Sequence, residues 1–172
     1  MNARPQTLRE VPAGVASLAD FGRSFRDWLH TLSRFSSRVQ VAAAIREEPP
    51  LLTGRFADGG IADAYLAAYA ELLAAKTGQA SPDWAFDPRR VSSLPWFAEE
   101  PVGLRRLALI HSPLPFKRRN LFTRSVDLPL RLRAGRPWKS LSEKLHRNAE
   151  RQRRFRERRR AELHKLRALA GV

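Results

Sequence analysis

The sequence contains no cysteine, which excludes disulfide bonds, thiolate metal sites and cysteine nucleophiles. It has no apolar run of the roughly 18 residues that a membrane-spanning helix requires, so we expect no membrane partner. The first residues lack the apolar segment of a secretory signal, which together with the missing cysteines favours a cytoplasmic protein. Metalloprotease, phosphate-loop and dinucleotide-binding motifs are also absent, so we expect neither an enzyme nor a cofactor.

Candidate metal ligands and paired acids are few and scattered. The histidines are His30, His111, His146 and His164. None of them stands at metal-ligand spacing with another histidine or with a carboxylate. The acidic pairs Glu47–Glu48 and Glu99–Glu100 each precede a proline, and this position is typical of surface charge in loops. We therefore expect no metal site and no catalytic residue.

Charge is distributed very unevenly along the chain. Residues 1–116 hold thirteen basic and twelve acidic residues, so this part is almost neutral. Residues 117–130 add four basic residues and one acidic residue, and residues 131–172 hold fifteen Lys or Arg against four Glu. Charge concentrated in this way predicts a polyanionic or acidic partner and says little about the fold.

The densest basic stretch supplies most of the candidate binding residues. They are Arg147, Arg151, Arg153, Arg154, Arg156, Arg158, Arg159, Arg160 and Lys165. Spread around a helix, these side chains favour contact with nucleic-acid phosphates over selective base readout, whether the nucleic acid is DNA or RNA. Docking against an acidic protein is a second interpretation, and a solvated terminal helix without any ligand is a third. The density of like charge destabilises the free protein, which favours a bound partner.

A second basic cluster comprises Lys117, Arg118 and Arg119. These residues are candidates for binding a phosphate or an acidic loop of a partner. The alternative is a solvated turn between two buried aromatic residues, Phe116 and Phe122. The sequence does not separate these two interpretations.

Capping patterns and apolar periodicity predict an all-α fold. Ser17 followed by Asp20 fits a capping box, and the apolar stripe that runs from Leu18 to Phe35 has helical spacing. Ser37 and Gln40 form a second such pattern, which predicts a short helix to about residue 47.

Two further helices are expected in the middle of the chain. The turn at residues 58–60 precedes an Ala-rich helix from Ile61 to about Lys76, which Gly78 ends. A helix from Val102 to Ile110 is expected to bury its apolar side chains, which are Leu104, Leu107, Ala108 and Ile110. Between these helices, prolines and apolar neighbours favour a core or lid role for Trp84 and Trp96 over base stacking.

The resulting organisation is a small helical bundle followed by a long basic C-terminal helix. We expect a flexible N-terminal arm over residues 1–16, the bundle over 17–122, a linker over 123–139 and the basic helix over 140–172. A capping pattern from Ser140 to Glu143 opens this last helix, and Glu150 can pair with Arg154 one turn later.

Several motifs within the bundle belong together. They are the stretches 61–73, 82–84, 94–97, 107–109 and 112–122. As a set they resemble a small helical module found in bacterial proteins encoded beside nucleotidyltransferase-like genes, some of which look like antitoxins. In those proteins the module can follow a helix-turn-helix domain. This sequence has no room for such a domain before residue 17 and carries the basic tail instead.

The resemblance implies a non-enzymatic, antitoxin-like protein that binds a partner, with a nucleotidyltransferase-type toxin as the candidate. In this hypothesis the helical body docks on the partner through apolar and aromatic surface. The basic helix then occludes the partner's substrate channel or holds a nucleic-acid backbone. The alternative is a stand-alone nucleic-acid-binding accessory protein, associated with the ribosome or the nucleoid, that has no toxin partner.

Overall fold

The computed structural model of the protein describes residues 4–99, 101–132 and 149–159, and it is mainly helical. The helices are α1 (Leu18–Leu32), α2 (Arg38–Arg46), α3 (Gly59–Thr77), α4 (Val102–His111) and α5 (Leu114–Lys117). Residues 149–159 are also helical. Short 3-10 turns occupy Leu8–Glu10, Asp83–Phe86 and Pro88–Arg90, and two short strands are β1 (Trp96–Phe97) and β2 (Leu121–Phe122).

The chain divides into two units, Met1–Arg133 and Ala134–Val172. The first contains the helices α1 to α5 and the hydrophobic core. Of the second, the structure describes residues 149–159. The expected capping pattern at residues 140–143 and both ends of the expected basic helix lie outside the described residues. Within those residues, no helix is long and apolar enough to cross a membrane.

Helix α3 forms the centre of the first unit. Fourteen of its nineteen residues are buried, on every side of the helix. Its many alanines allow close approach from all directions, and α2, α5 and the two later 3-10 turns pack around it. The expected left-handed terminator is confirmed, because Gly78 has φ of 67° and its N–H bonds back to the last turn.

The first two helices begin where the capping patterns predicted. The Ser17 hydroxyl accepts a hydrogen bond from the Asp20 N–H at 3.1 Å. Ser37 and Gln40 form a complete capping box at the start of α2. The inward face of α1 places Phe21, Phe25 and other large side chains in the core, as the spacing indicated.

The N-terminal segment differs from the expected flexible arm. Leu8, Val11 and Val15 are buried in the core, and the Ser24 hydroxyl donates to the Val11 carbonyl at 2.8 Å. The prolines and glycine of this segment suggested a loose chain. Its apolar residues nevertheless recur every three or four positions, and that spacing gives them one common face to bury.

The described part of the expected linker, residues 123–132, packs against the core. Thr123 is buried, and Val126, Leu128, Leu130 and Leu132 lie half-buried against the core. The alternate spacing of these four apolar residues suits an extended segment that keeps one side against the protein. Residues 133–139 of the expected linker lie outside the described part.

A small parallel sheet supplements the all-helical expectation. Trp96 pairs with Leu121 and Phe97 with Phe122. The Trp96 N–H donates to the Asn120 carbonyl at 2.8 Å, and Asn120 itself has a left-handed φ of 58°. The pairing fixes the loop that carries Trp96 against the segment that follows α5.

Candidate interaction surfaces

The C-terminal candidate surface is the arginine segment, residues 149–159. It holds six arginines and two glutamates, and every side chain in it is exposed. The predicted pair is confirmed, with Arg154 Nη2 2.8 Å from Glu150 Oε1, and Arg153 Nε lies 3.2 Å from Glu157 Oε1. The predicted contact residues Arg147, Arg160 and Lys165 lie outside the described residues.

Four arginines of this segment have no ion-pair partner among the described residues. They are Arg151, Arg156, Arg158 and Arg159. Phe155 is the only large apolar residue of the segment 149–159, and its side chain is 63% exposed. A helix that buries none of these residues gains little from packing, so its surface is suited to a polyanion that supplies the missing countercharge.

The second basic cluster divides in the structure. Arg119 is buried, with Nη1 at 2.7 Å from both Glu71 Oε2 and the Pro115 carbonyl. Its Nη2 donates to the Ala85 carbonyl. Because its guanidinium is enclosed and satisfied within the fold, we remove Arg119 from the candidate binding residues.

Lys117 and Arg118 remain nearer the surface, and each has an intramolecular partner. Lys117 Nζ donates to the Ile110 carbonyl at 2.9 Å, near the end of α4. Arg118 Nη1 lies 3.0 Å from Glu71 Oε1, and its side chain is 55% exposed. Phe116 is buried as the alternative interpretation expected, whereas Phe122 is only half-buried.

Helix α4 departs from the sequence expectation in an informative way. Leu107 and Ile110 were expected in the core, but they are 41% and 67% exposed. Ala108 is the buried residue of this helix. The end of the helix is anchored by the Ser112 hydroxyl, which lies 2.6 and 3.0 Å from the Ala108 and Thr123 carbonyl oxygens and can donate its proton to either.

The exposed apolar residues of α4 are spread over its outward half. At 100° per residue, Leu109, Val102, Ile110 and Leu107 lie about 100°, 120°, 200° and 260° from Ala108, with Arg106 at about 160° among them. We name these residues and Leu114 of α5 the α4 face, which consists of Val102, Leu107, Leu109, Ile110 and Leu114. The number of apolar residues in α4 could have indicated this exposed face from the sequence. A helix that packs on one side only cannot bury apolar residues all around it.

Comparison with known proteins gives no family for the chain. No protein-family model, curated protein or solved structure matches it. Function therefore has to be argued from the surfaces themselves.

The tryptophans and the possible metal ligands are the other predictions that the structure addresses. Trp84 is buried and its Nε1 donates to the Ile45 carbonyl at 3.1 Å, which confirms a core role. Trp96 is half-buried beside an open aromatic cavity. Within the described ranges, no group of three or more His, Asp or Glu residues converges on a common point that could hold a metal ion.

Proposed function

We propose that this protein is a non-enzymatic, antitoxin-like interaction protein that binds a partner protein through the α4 face. The observation that carries the proposal is the exposure of five large aliphatic side chains on two consecutive helices. Exposure of several large apolar side chains on one part of a folded unit is typical of a protein–protein interface. The partner class, a nucleotidyltransferase-type toxin, comes from the resemblance of about residues 17–122 to the antitoxin-like module.

Charge around the α4 face favours an acidic partner surface. Arg106 lies between the apolar residues on the outward side of the helix, and Arg105 lies at its edge. Arg105 is held in place by a hydrogen bond from its Nε to the Glu99 carbonyl at 3.2 Å and by the Phe97 ring, whose centroid is 5.5 Å from its Cζ. Arginines within and beside an apolar surface favour a partner surface that combines apolar and acidic residues.

Ile110→Asp is expected to weaken binding of the proposed nucleotidyltransferase-type toxin at least about 30-fold, because it places a charge in the centre of the contact. Val39→Asp is the matched control, since Val39 is also exposed, at 75%, but lies on α2. Isothermal titration calorimetry with the purified toxin measures both affinities. An equal loss in the two variants, or no loss in Ile110→Asp, would contradict the proposal.

The arginine segment supports a second candidate function, that of a nucleic-acid-binding accessory protein. The supporting observation is that all six of its arginines are exposed while only two have a carboxylate partner within the segment. In this function the toxin is dispensable, and the protein acts by neutralising phosphates without reading sequence.

The triple change of Arg151, Arg154 and Arg158 to Gln is expected to lower the slope of log K against log salt by about 0.9 for each phosphate that the variant no longer neutralises. Binding of unrelated duplex DNA and single-stranded RNA by the full-length protein, measured by fluorescence anisotropy at several salt concentrations, tests this expectation. Changing Arg34, Arg46 and Arg55 to Gln removes the same charge from exposed sites of the first unit. If both triple variants lower the slope equally, the segment has no special role.

A further inference from the structure

An open aromatic cavity of about 580 Å³ lies beside α1 in the first unit. Helix α1 lines one side, α3 contributes two tyrosines, and Trp96 and Asp127 complete the lining. This volume falls within the range of about 300–1,000 Å³ that is typical of small-molecule sites. No part of the proposed partner binding uses this cavity.

Aromatic rings from two helices form its inner surface. Phe21 and Phe25 of α1 meet Tyr65 of α3 edge-on, with ring centroids 6.1 and 5.2 Å apart. Tyr65 in turn stacks on Tyr69 at 5.6 Å. Rings arranged edge-on and stacked in this way present both faces and edges, which suits a planar aromatic guest.

The polar groups at the cavity are few, and several lack partners. The Tyr69 hydroxyl donates to the Asp127 carbonyl, but the Tyr65 hydroxyl has no hydrogen-bond partner among the described residues. Burial, reinforced by the charge of Asp127, raises the pKa of Tyr65 to about 12. Tyr65 therefore remains a neutral hydrogen-bond donor at physiological pH.

Two side chains of opposite charge lie at the opening of the cavity. Arg26 and Asp127 are exposed side chains that line the cavity, and neither forms an ion pair with any described residue. His30 also lines it. A purely anionic guest would meet the Asp127 carboxylate, and a purely cationic guest would meet the Arg26 guanidinium. A guest that carries both charges can satisfy both groups.

Gly22 gives an independent reason to regard this cavity as a site. It is the fifth residue of α1, inside the helix, where glycine costs about 1 kcal/mol relative to alanine. Its backbone is not left-handed, and a Cβ built there would meet no atom within 4 Å. Neither conformation nor packing therefore requires glycine, but a side chain at this position would enter the cavity that Gly22 lines.

We propose that this cavity binds a small aromatic zwitterion of the amino-acid class. The aromatic ring lies among Phe21, Phe25 and Tyr65, the ammonium group lies beside Asp127, and the carboxylate lies beside Arg26. Gly22 keeps the entrance open. Binding of this small molecule is independent of partner binding by the α4 face, and each can be tested without the other.

The test is a titration of the full-length protein with three probes, L-phenylalanine, 2-phenylethylamine and 3-phenylpropionate. Trp96 lines the cavity, so tryptophan fluorescence reports binding by probes that do not themselves absorb at the excitation wavelength. We expect saturable binding of L-phenylalanine and about fivefold weaker binding of each singly charged probe. Absence of saturable binding by all three probes, or equal affinity for all three, would overturn the proposal.

Substitutions locate the binding. Gly22→Leu is expected to abolish the saturable signal. Gly103→Leu is expected to keep it, since Gly103 lies on α4 and an added Cβ there likewise meets no atom within 4 Å. Unchanged binding by a folded Gly22→Leu variant would overturn the assignment. Should that variant fail to fold, substitutions of the two charged residues at the cavity opening test the proposal. Arg26→Gln is expected to remove the preference for L-phenylalanine over 2-phenylethylamine. Asp127→Asn is expected to remove the preference for L-phenylalanine over 3-phenylpropionate. Retention of both preferences would refute the proposed site.

Discussion

Gly59→Ala is expected to lower the free energy of unfolding by more than about 3 kcal/mol, at or beyond the upper end of ordinary overpacking. A Cβ at residue 59 would lie 2.1 Å from the Leu52 carbonyl oxygen, 2.5 Å from its carbon and 2.9 Å from the Thr53 nitrogen. These are backbone atoms, so no side-chain rotation can relieve the overlap. The connector before α3 must move as a whole.

Movement of that connector would break a buried set of hydrogen bonds. Asp63 is fully buried, and its carboxylate accepts from the N–H groups of Leu52 at 2.9 Å and Thr53 at 2.8 Å. It also accepts from the Thr53 hydroxyl at 2.7 Å. A carboxylate that loses buried donors without regaining water has a large desolvation cost, so the steric and electrostatic penalties act together.

Gly60→Ala is the matched control, because its Cβ would meet only the Thr53 hydroxyl at 3.6 Å, an ordinary contact. It is expected to leave stability unchanged or to raise it by up to about 1 kcal/mol through helix propensity. Urea unfolding of both variants followed by circular dichroism gives the two free energies. Similar values for the two alanine variants would show that the close approach at Gly59 is relaxed in solution.

The features that could be predicted from sequence are those whose cause is local. The Ser17 and Ser37 caps need only a residue three positions later, and Gly78 needs only its own freedom to adopt positive φ. The helices between them follow from apolar spacing. Because these causes are local, the mainly helical character and the first residues of α1 and α2 could be predicted from the sequence.

The features that sequence missed depend on contacts between distant residues. Glu71 and Arg119 are 48 positions apart, and Asp63 and Arg90 are 27 apart in sequence, yet all four are buried. Charged residues are rarely buried unless paired, so a sequence without its contacts assigns them to the surface. The α4 face and the aromatic cavity were missed for a related reason, since periodicity shows that a helix has apolar residues but not what covers them.

Arg119→Met is expected to destabilise the protein by about 3 kcal/mol, the lower end of the cost of breaking a buried ion pair, because Glu71 loses its buried partner but keeps the half-exposed Arg118. Its guanidinium bonds Glu71 of α3 and the Pro115 and Ala85 carbonyls, so it joins three separate parts of the first unit. Arg118→Met is the matched control. That side chain also contacts Glu71 but is half-exposed, and its loss is expected to cost at most about 1 kcal/mol.

A double variant separates loss of the pair from loss of the residue. Glu71→Leu combined with Arg119→Met removes both charges, so it is expected to be more stable than Arg119→Met alone. Recovery should be incomplete, because the Pro115 and Ala85 carbonyls lose a donor. Thermal unfolding of the variants measures the coupling. If Arg119→Met and Arg118→Met lowered the free energy of unfolding equally little, Arg119 would not stabilise the fold from within. It would then again be a candidate, with Lys117 and Arg118, for binding an acidic partner.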